Sequence, residues 1–336
     1  MSKKVPSSNI DQLLSGLKVA TGALRESIKA TRHARALPEP PPPMTTKQEI
    51  VNLLMHEVER RYGIAPGDQV ERKLLRIFDL MSFSDLERWS MALLSPNAIE
   101  AEWLSLVECL TVHETYFDRD KEQMAILQSE ILPRLIEQKH QSGDYRLRIW
   151  SAGCSSGEES YNLAMLLMIA MKEAGFALER SDGSIIPIPA WNVSVLGSDI
   201  SSQMIRIAKG GCYTTGEMSS FRDMNPVLWR FFEELSSQES DPGNGQTMRV
   251  KPCITDITRF QRHNLLESLI EPSQFDIIVC RNVLIYFDKN KSKVQELLYR
   301  NLAKGGTLLL GATDMMTHLH NMQRCQRNGS FWYEKN

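Results

Sequence analysis

The stretch WSAGCSSGEES, Trp150 to Ser160, sets Gly153 and Gly157 ahead of a segment with a broad apolar face at helical spacing. Glycine lets the backbone pass close to a ligand, and the helix that follows offers free N–H groups and a positive dipole end, so the turn suits a nucleotide-type ligand. It is not the dinucleotide fingerprint GxGxxG, because only two of those glycines can be aligned. Glu158-Glu159 at the helix start would repel a pyrophosphate and attract an amine, a hydroxyl pair or a cation. Asp199 closes a second β-branched run, Val193 to Leu196, where open α/β sheets place an acidic residue against a ribose diol; capping the helix that opens near Ser201 is its other use. A third stretch, FDIIVCRNVLIYFD, begins at Phe275 as a strand buried on both faces and is interrupted by Arg281-Asn282 at its carboxyl end, where such sheets build ligand sites. A ligand with adenine, ribose, an amine and a sulfonium charge but no phosphate fits these groups better than NAD does. That ligand is S-adenosylmethionine.

The elements that must position these residues follow from periodicity. After about Tyr145, strands alternate with helices: Arg146 to Trp150, the helix Glu159 to Ala174, Val193 to Leu196, the helix Ser201 to Lys209, and strands near Arg249 and at Arg259 to Gln261. Phe275 to Cys280, a helix Lys291 to Ala303, the strand Thr307 to Leu310 and a last strand or hairpin ending Phe331-Trp332-Tyr333 complete the series. This is the pattern of an α/β fold with a parallel sheet. From Gly210 to Met248 the sequence is turn-rich and reads as an insertion or subdomain. Thr46 to about Leu110 is helical, with capping boxes expected at Thr46/Glu49, Ser84/Glu87 and Asn97/Glu100. Residues 1–43 read as a tether, with an amphipathic pattern from Ile10 to Ile28 and an extended Pro-rich end from Pro38 to Pro43. The expected division is therefore a tail over 1–43, a helical domain over 44–110, a linker with a helix over 111–144 and the sheet domain over 145–336.

Composition narrows the class. A chain of 336 residues has room for two domains, and its formal charge of −2 carries no general basic excess, so no nucleic acid is expected as partner. The longest apolar run, Leu163 to Met171, falls far short of the roughly 20 residues that span a bilayer, and no apolar h-region follows Lys3-Lys4. Six cysteines without a CxxC pair argue against zinc and against a disulfide framework, which points to a reduced, cytoplasmic protein without membrane insertion. His318 and His320 lack companion ligands, so no metal is expected.

Five motifs occur in one order: TVHETYFDRD (111–120), WSAGCSSGEESYNLAM (150–165), LGSDIS (196–201), NLLE (264–267) and FDIIVCRNVLIYFD (275–288). This ordered set resembles the chemotaxis receptor glutamate O-methyltransferases, the CheR family, over most of residues 46–336. The resemblance implies a Rossmann-like S-adenosylmethionine-dependent methyltransferase sheet with an N-terminal all-helical domain and a small inserted β-subdomain. It implies that Thr115 and Arg119 reach the cofactor from the linker, that Glu159 and Asp199 hold its amino-acid and ribose ends, and that Asn264 and Leu265 flank adenine. Asn282 and Val283 would line the pocket beside the methionine part, and Tyr286 would stand near the transferred methyl group, with Arg119 and Tyr286 as the catalytic pair. S-adenosylhomocysteine would be the product, and the acceptors would be glutamates on the cytoplasmic helices of a methyl-accepting chemoreceptor, modified by a monomer. The clusters Arg60-Arg61 and Arg72-Lys73-Arg76 would meet the acidic methylation helix, and the insertion would contact the receptor or a tethering peptide.

Other uses stand beside these. Arg119 can pair with Asp118 or Asp120, Tyr286 can be a core aromatic, Asn264 can cap a short helix, and Glu158 can be a solvated neighbour. Three departures from the family pattern are His113 for Asn, Asp118 for an aromatic residue and GATDMM (311–316) for Gly-His-Ser-Glu; His113 and the 311–316 segment motivate a rival, a catalytically weak S-adenosylmethionine-binding signalling module. A glutamate is already a carboxylate at neutral pH, so methyl transfer to it needs positioning and exclusion of water more than a general base.

Overall fold

The computed structural model describes residues 46–65, 67–79, 81–111, 113–216, 219–235, 246–269, 274–317 and 321–336. The expected tail over 1–43 and the pair His318/His320 lie outside them. The chain divides into two compact units, one of residues up to Val112 with Tyr286–Lys289, the other of His113–Ile285 with Asn290–Asn336.

The first unit is helical: α1 (Lys47–Tyr62), α2 (Asp68–Phe78), α3 (Phe83–Leu94) and α4 (Glu100–Leu110). Thr46 caps α1 through a full capping box, its hydroxyl accepting from the Glu49 N–H while the Glu49 carboxylate accepts from the Thr46 N–H. The other two expected boxes do not form. Ser82 caps α3 by accepting from the Asp85 N–H at 3.2 Å, which leaves Ser84 in the first turn, and α4 opens at Ile99 without a side-chain cap. Ile50, Leu54, Leu74, Phe78, Leu86 and Trp103 are fully buried in this unit, and Trp89 meets Phe78 edge-on. The basic clusters divide between surface and interior: Arg60, Arg72 and Arg76 are exposed, Arg61 stacks over Trp103 at 4.6 Å, and burial lowers the Lys73 pKa.

The second unit is built on a seven-stranded sheet of order β11-β12-β10-β9-β1-β4-β8. Its strands are β1 (Arg146–Ala152), β4 (Asn192–Asp199), β8 (Thr258–Arg262), β9 (Phe275–Cys280), β10 (Leu302–Leu310), β11 (Met322–Arg327) and β12 (Ser330–Lys335). Strands β10, β9, β1, β4 and β8 run parallel, and the final hairpin adds antiparallel. The chain builds outward from β1 through β4 to β8, then returns to β9 on the other flank of β1. Strand order thus reverses between β1 and β9, the switch point at whose carboxyl ends doubly wound sheets bind ligands.

The helix α7 (Glu158–Glu173) after β1 is buried along nearly its whole length, because the sheet covers one side and a hairpin of β2 (Ala177–Glu179) and β3 (Ile185–Pro187) covers another. That hairpin falls in a stretch where the periodicity gave no strand signal. Upstream, α5 (Lys121–Ile126) runs through a π-turn at Leu127–Ile131 into α6 (Leu132–Ser142). The widened turn sits just before Pro133, whose missing N–H and bulky ring an unbroken α-helix would not accommodate. The helix α8 (Ser202–Gly210) follows β4. The insertion forms a three-stranded antiparallel sheet of β5 (Cys212–Thr214), β7 (Thr247–Val250) and β6 (Phe232–Glu234), with a 3-10 helix at Pro226–Phe231 between β5 and β6. The helix α9 (Pro252–Thr255) leads into β8, and α10 (Lys291–Asn301) precedes β10. Among the described residues no helix is long and apolar enough to cross a membrane, and no group of three metal-ligating side chains forms.

One charge sits in the core strand β9. Asp276 accepts from the Arg148 N–H at 2.8 Å and pairs with Lys139 Nζ at 2.7 Å. Removing one partner strands a buried charge, so Lys139→Ala is expected to cost about 3 kcal/mol of stability. Lys139→Met combined with Asp276→Asn should recover much of that loss. Equilibrium denaturation of the single and double variants checks both statements.

Candidate functional site

The cofactor-type loop leaves β1 at Ala152 with Gly153 at φ +83° and Gly157 at φ +98°, a left-handed range that disfavours any side chain. Packing makes the same demand. A Cβ on Gly153 would lie 2.3 Å from a methyl of Val283, and one on Gly157 would lie 2.8 Å from the Cβ of Ala208. The glycines thus let the loop seat against the end of β9 and against α8. Both Gly153 and Cys154 donate backbone N–H groups to the Ser198 carbonyl, which fixes the loop beside the end of β4.

Adjacent carboxylates on the first turn of α7 take different surroundings, since neighbouring helical residues point about 100° apart. Glu158 is 2% exposed and accepts from Ser156 Oγ and from Ser220 Oγ, each at 2.7 Å. Burial raises its pKa above the usual carboxylate range, partly offset by those hydroxyls. It is therefore an interior group, neither a solvated neighbour nor a ligand group. Glu159 stays half-buried, accepting from Ser151 Oγ at 2.7 Å and from Arg281 Nη1 at 3.2 Å.

Arg281 joins the separate segments. Its side chain is 3% exposed, and besides Glu159 it donates from Nη2 to the Arg119 carbonyl and to Asp120 Oδ2, both at 2.6 Å. The linker 113–120 is thereby fixed against the end of β9 and the start of α7. Arg119 itself is half-buried, and its Nη1 donates to the Glu114 carbonyl at 2.7 Å. Its neighbours are engaged elsewhere: Asp120 meets Arg281, and Asp118 is buried, hydrogen-bonded to the Asn225 backbone and the Asn162 side chain, with burial raising its pKa. Thr115 lies half-buried in the same extended segment. At His113 it is the backbone carbonyl that accepts from Ser155 Oγ at 3.1 Å, so a histidine in place of asparagine leaves that bond intact.

Asp199 accepts from the Ser155 N–H with one oxygen and the Ser201 N–H with the other, each at 2.9 Å. The helix cap is Ser201, which accepts from the Met204 N–H. The Asp199 carbonyl takes the His263 N–H, drawing the 263–267 segment alongside, where Asn264 is buried and accepts from the Leu266 N–H while Leu265 packs inside. Asn282 adopts φ +58°, and its N–H is held by the buried carboxyl of Asp314. A Cβ on Gly311 would stand 2.8 Å from that nitrogen, so the 311–316 segment supports the turn that carries Asn282 and Val283. Tyr286 belongs to the helical unit, where its carbonyl accepts from the Ala65 N–H at 2.7 Å. Ser151, Ser155, Asp120, Ser220 and Asp314 escaped the sequence reading as supports of the site; Ser151, Ser155 and Asp120 stand within its motifs, whereas Ser220 in the insertion carried no signal.

The model of the CheR methyltransferase S-adenosylmethionine-binding domain matches residues 113–330. The chain belongs to the CheR methyltransferase family. It is 32% identical over 279 residues to a chemotaxis protein methyltransferase of Vibrio parahaemolyticus, covering 80% of this chain and 90% of that one. It is 33% identical over 280 residues to chemotaxis protein methyltransferase 1 of Vibrio cholerae, with the same coverage of 80% and 90%. Against chemotaxis protein methyltransferase 1 of Pseudomonas aeruginosa it is 33% identical over 225 residues, 66% of this chain and 73% of the relative. The protein is thus a methyltransferase of the S-adenosylmethionine-dependent fold, and S-adenosylmethionine is its cofactor.

The donor set of this CheR-family site fits that group. Carboxylate oxygens have two lone-pair sites each, so Glu159 and Asp199 retain acceptor capacity for an ammonium and a diol beyond the bonds they make. Amides at Asn264 and Asn282 would add neutral polar groups, and no cation in the loop 151–159 invites a phosphate.

Two outcomes are expected. Arg281→Ala leaves the Arg119 carbonyl, Asp120 and Glu159 without their shared donor; it should weaken S-adenosylhomocysteine binding about tenfold or more in calorimetry and cost about 3 kcal/mol of stability. At Glu158 the folded protein holds its proton more tightly than the unfolded chain, so this residue makes stability fall as pH rises from its ordinary 4.5 towards the raised folded value. Glu158→Gln should remove that falling contribution, read as a flatter stability profile across the interval.

Proposed function

We propose that this CheR-family enzyme transfers the methyl group to glutamate side chains on the cytoplasmic helices of a methyl-accepting chemoreceptor, forming methyl esters. The observation that carries this reading is a carboxylate-rich cofactor loop locked to a linker whose half-exposed Arg119 forms no ion pair among the described residues. A guanidinium has five N–H donors in a planar fork matched to a carboxylate, and Arg119 spends one on the Glu114 carbonyl. It is then equipped to orient the carboxylate of the acceptor or that of the cofactor.

Bound S-adenosylmethionine supplies an electrophilic methyl group on a sulfonium. In the roles proposed, Glu159 accepts from the amino-acid end, Asp199 from the ribose hydroxyls, Asn264 and Leu265 flank adenine, Thr115 and Arg119 close from the linker, and Asn282 with Val283 borders the methionine part. Tyr286 is assigned to the vicinity of the transferred methyl. An acceptor carboxylate arrives ionised, so these residues need only align it and exclude water. The exposed Arg60, Arg72 and Arg76 of the helical unit supply positive charge suited to an acidic receptor helix, and the three-stranded insertion is assigned to the receptor or its tethering peptide. Residues 44–110, 111–144 and 145–336 then divide the work as acceptor docking, cofactor closure and cofactor binding. We assign the enzyme to the cytoplasm, acting as a monomer.

The test is transfer of labelled methyl to receptor-containing membranes, followed by alkali treatment and capture of volatile methanol, since carboxylate esters hydrolyse readily and methyl amines do not. Arg119→Ala should lower kcat/KM by about 100-fold, near 2.7 kcal/mol of transition-state stabilisation. Cofactor binding without base-labile transfer to any receptor would replace this reading with a signalling module.

A further inference from the structure

The inserted segment does more than follow the sheet, because three consecutive residues, Ser220, Phe221 and Arg222, grip the linker that carries Arg119. The Phe117 N–H donates to the Ser220 carbonyl at 2.8 Å, and the Ser220 hydroxyl reaches Glu158 at the start of α7. Phe221 stacks on Phe117 at 5.3 Å between ring centroids, inside an aromatic cluster completed by Tyr213 and Phe232. Arg222 donates from Nη2 to Glu114 Oε1 at 2.6 Å and lies 4.1 Å over the ring of Tyr116. The other face of this arrangement is Arg119. Its guanidinium bonds the carbonyl of that same Glu114 and lies 5.9 Å from the centre of the same Tyr116 ring.

We infer that Arg222 is a positioning residue of the insertion, which sets the direction of Arg119 by holding the side chain of Glu114 and the ring of Tyr116. The inference rests on the reading that Arg119 faces the cofactor or acceptor. Its physical content is that Arg119 depends on two supports, Glu114 and Tyr116, each braced by Arg222 from the insertion. A guanidinium makes both contacts at once, a directed hydrogen bond and a planar stack, whereas an ammonium makes the charge contact alone. The insertion, whose strands lie outside the central sheet, thereby bears on Arg119 through the Arg222 side chain.

The experiment is a double-mutant cycle on the full chain, with S-adenosylhomocysteine affinity from calorimetry and kcat/KM for methyl transfer as readouts, and thermal melting as a check on folding. Arg222→Ala should weaken S-adenosylhomocysteine binding or transfer about tenfold, as loss of a charge-assisted hydrogen bond implies. In the Arg119→Ala background the same substitution should change neither quantity by more than about twofold, since its effect runs through Arg119. Arg222→Lys should restore part of the loss, and it serves as the measured variant if Arg222→Ala does not fold. A merely structural role for Arg222 would instead give losses that multiply with those of Arg119→Ala, and that result overturns the inference. So does an Arg222→Ala enzyme that matches wild type while Arg119→Ala is impaired, which leaves the reading of Arg119 standing. If Arg119→Ala matches wild type in both readouts, the reading of Arg119 itself fails and takes the inference with it.

Discussion

A guanidinium has been taken out of water at the end of β9, and much of the site is organised by the need to satisfy it. The two terminal nitrogens of Arg281 find acceptors in two distant parts of the chain: the backbone of Arg119 and carboxylate of Asp120 in the linker, and Glu159 at the start of α7. Burying such a charge without partners would cost several kcal/mol, so the native arrangement is the one in which linker, loop and strand end converge. Around this clamp the remaining contacts are short-range consequences. Gly153 must lack a side chain for Val283 to approach, and Asp314 holds the N–H of Asn282, whose backbone is left-handed.

The two neighbouring glutamates show how one dipeptide serves two purposes. Glu158 turns inward to two serine hydroxyls, one of them from the insertion, and becomes a bolt between loop and subdomain. Glu159 turns towards Ser151 and Arg281, which balance its charge without exhausting its lone pairs. A sequence reading sees two like charges and infers repulsion of phosphate, which is sound. It cannot see which of the two remains available.

That limit describes what was legible more generally. The strand Phe275–Cys280 and the Thr46 capping box were readable because both depend on residues within a few positions of each other. The order of motifs was likewise enough to place the chain in its family. Ser82 was passed over for Ser84 because both stand three residues before an acid, and only the packing of α3 decides between them. The hairpin of Ala177–Glu179 with Ile185–Pro187 is too short to show a period, and the π-turn before Pro133 is a local answer to a proline that sequence rules read as a helix start. Most hidden of all were contacts such as Glu114 with Arg222, where an unremarkable surface pair by composition becomes a brace once the fold brings together residues 108 positions apart.

The titratable groups around the loop bear on the proposed reliance on positioning. Burial raises the thiol of Cys154 and the phenols of Tyr161 and Tyr213, and lowers His263, whose Nε2 already lies against the Glu267 carbonyl. Each of these shifts favours the neutral form, so none prepares a nucleophile or a cationic acid. The carboxyls of Glu158, Asp118 and Asp314 are raised by burial as well, and each of them is engaged in hydrogen bonds of its own. The acceptor proposed arrives already ionised, so the work left to the protein would be to hold two partners in line and keep water out. The dense web of long-range bonds on residues 113–120 is what such a task requires, because a linker that wandered by an ångström would misalign the reaction even with every charged group still present.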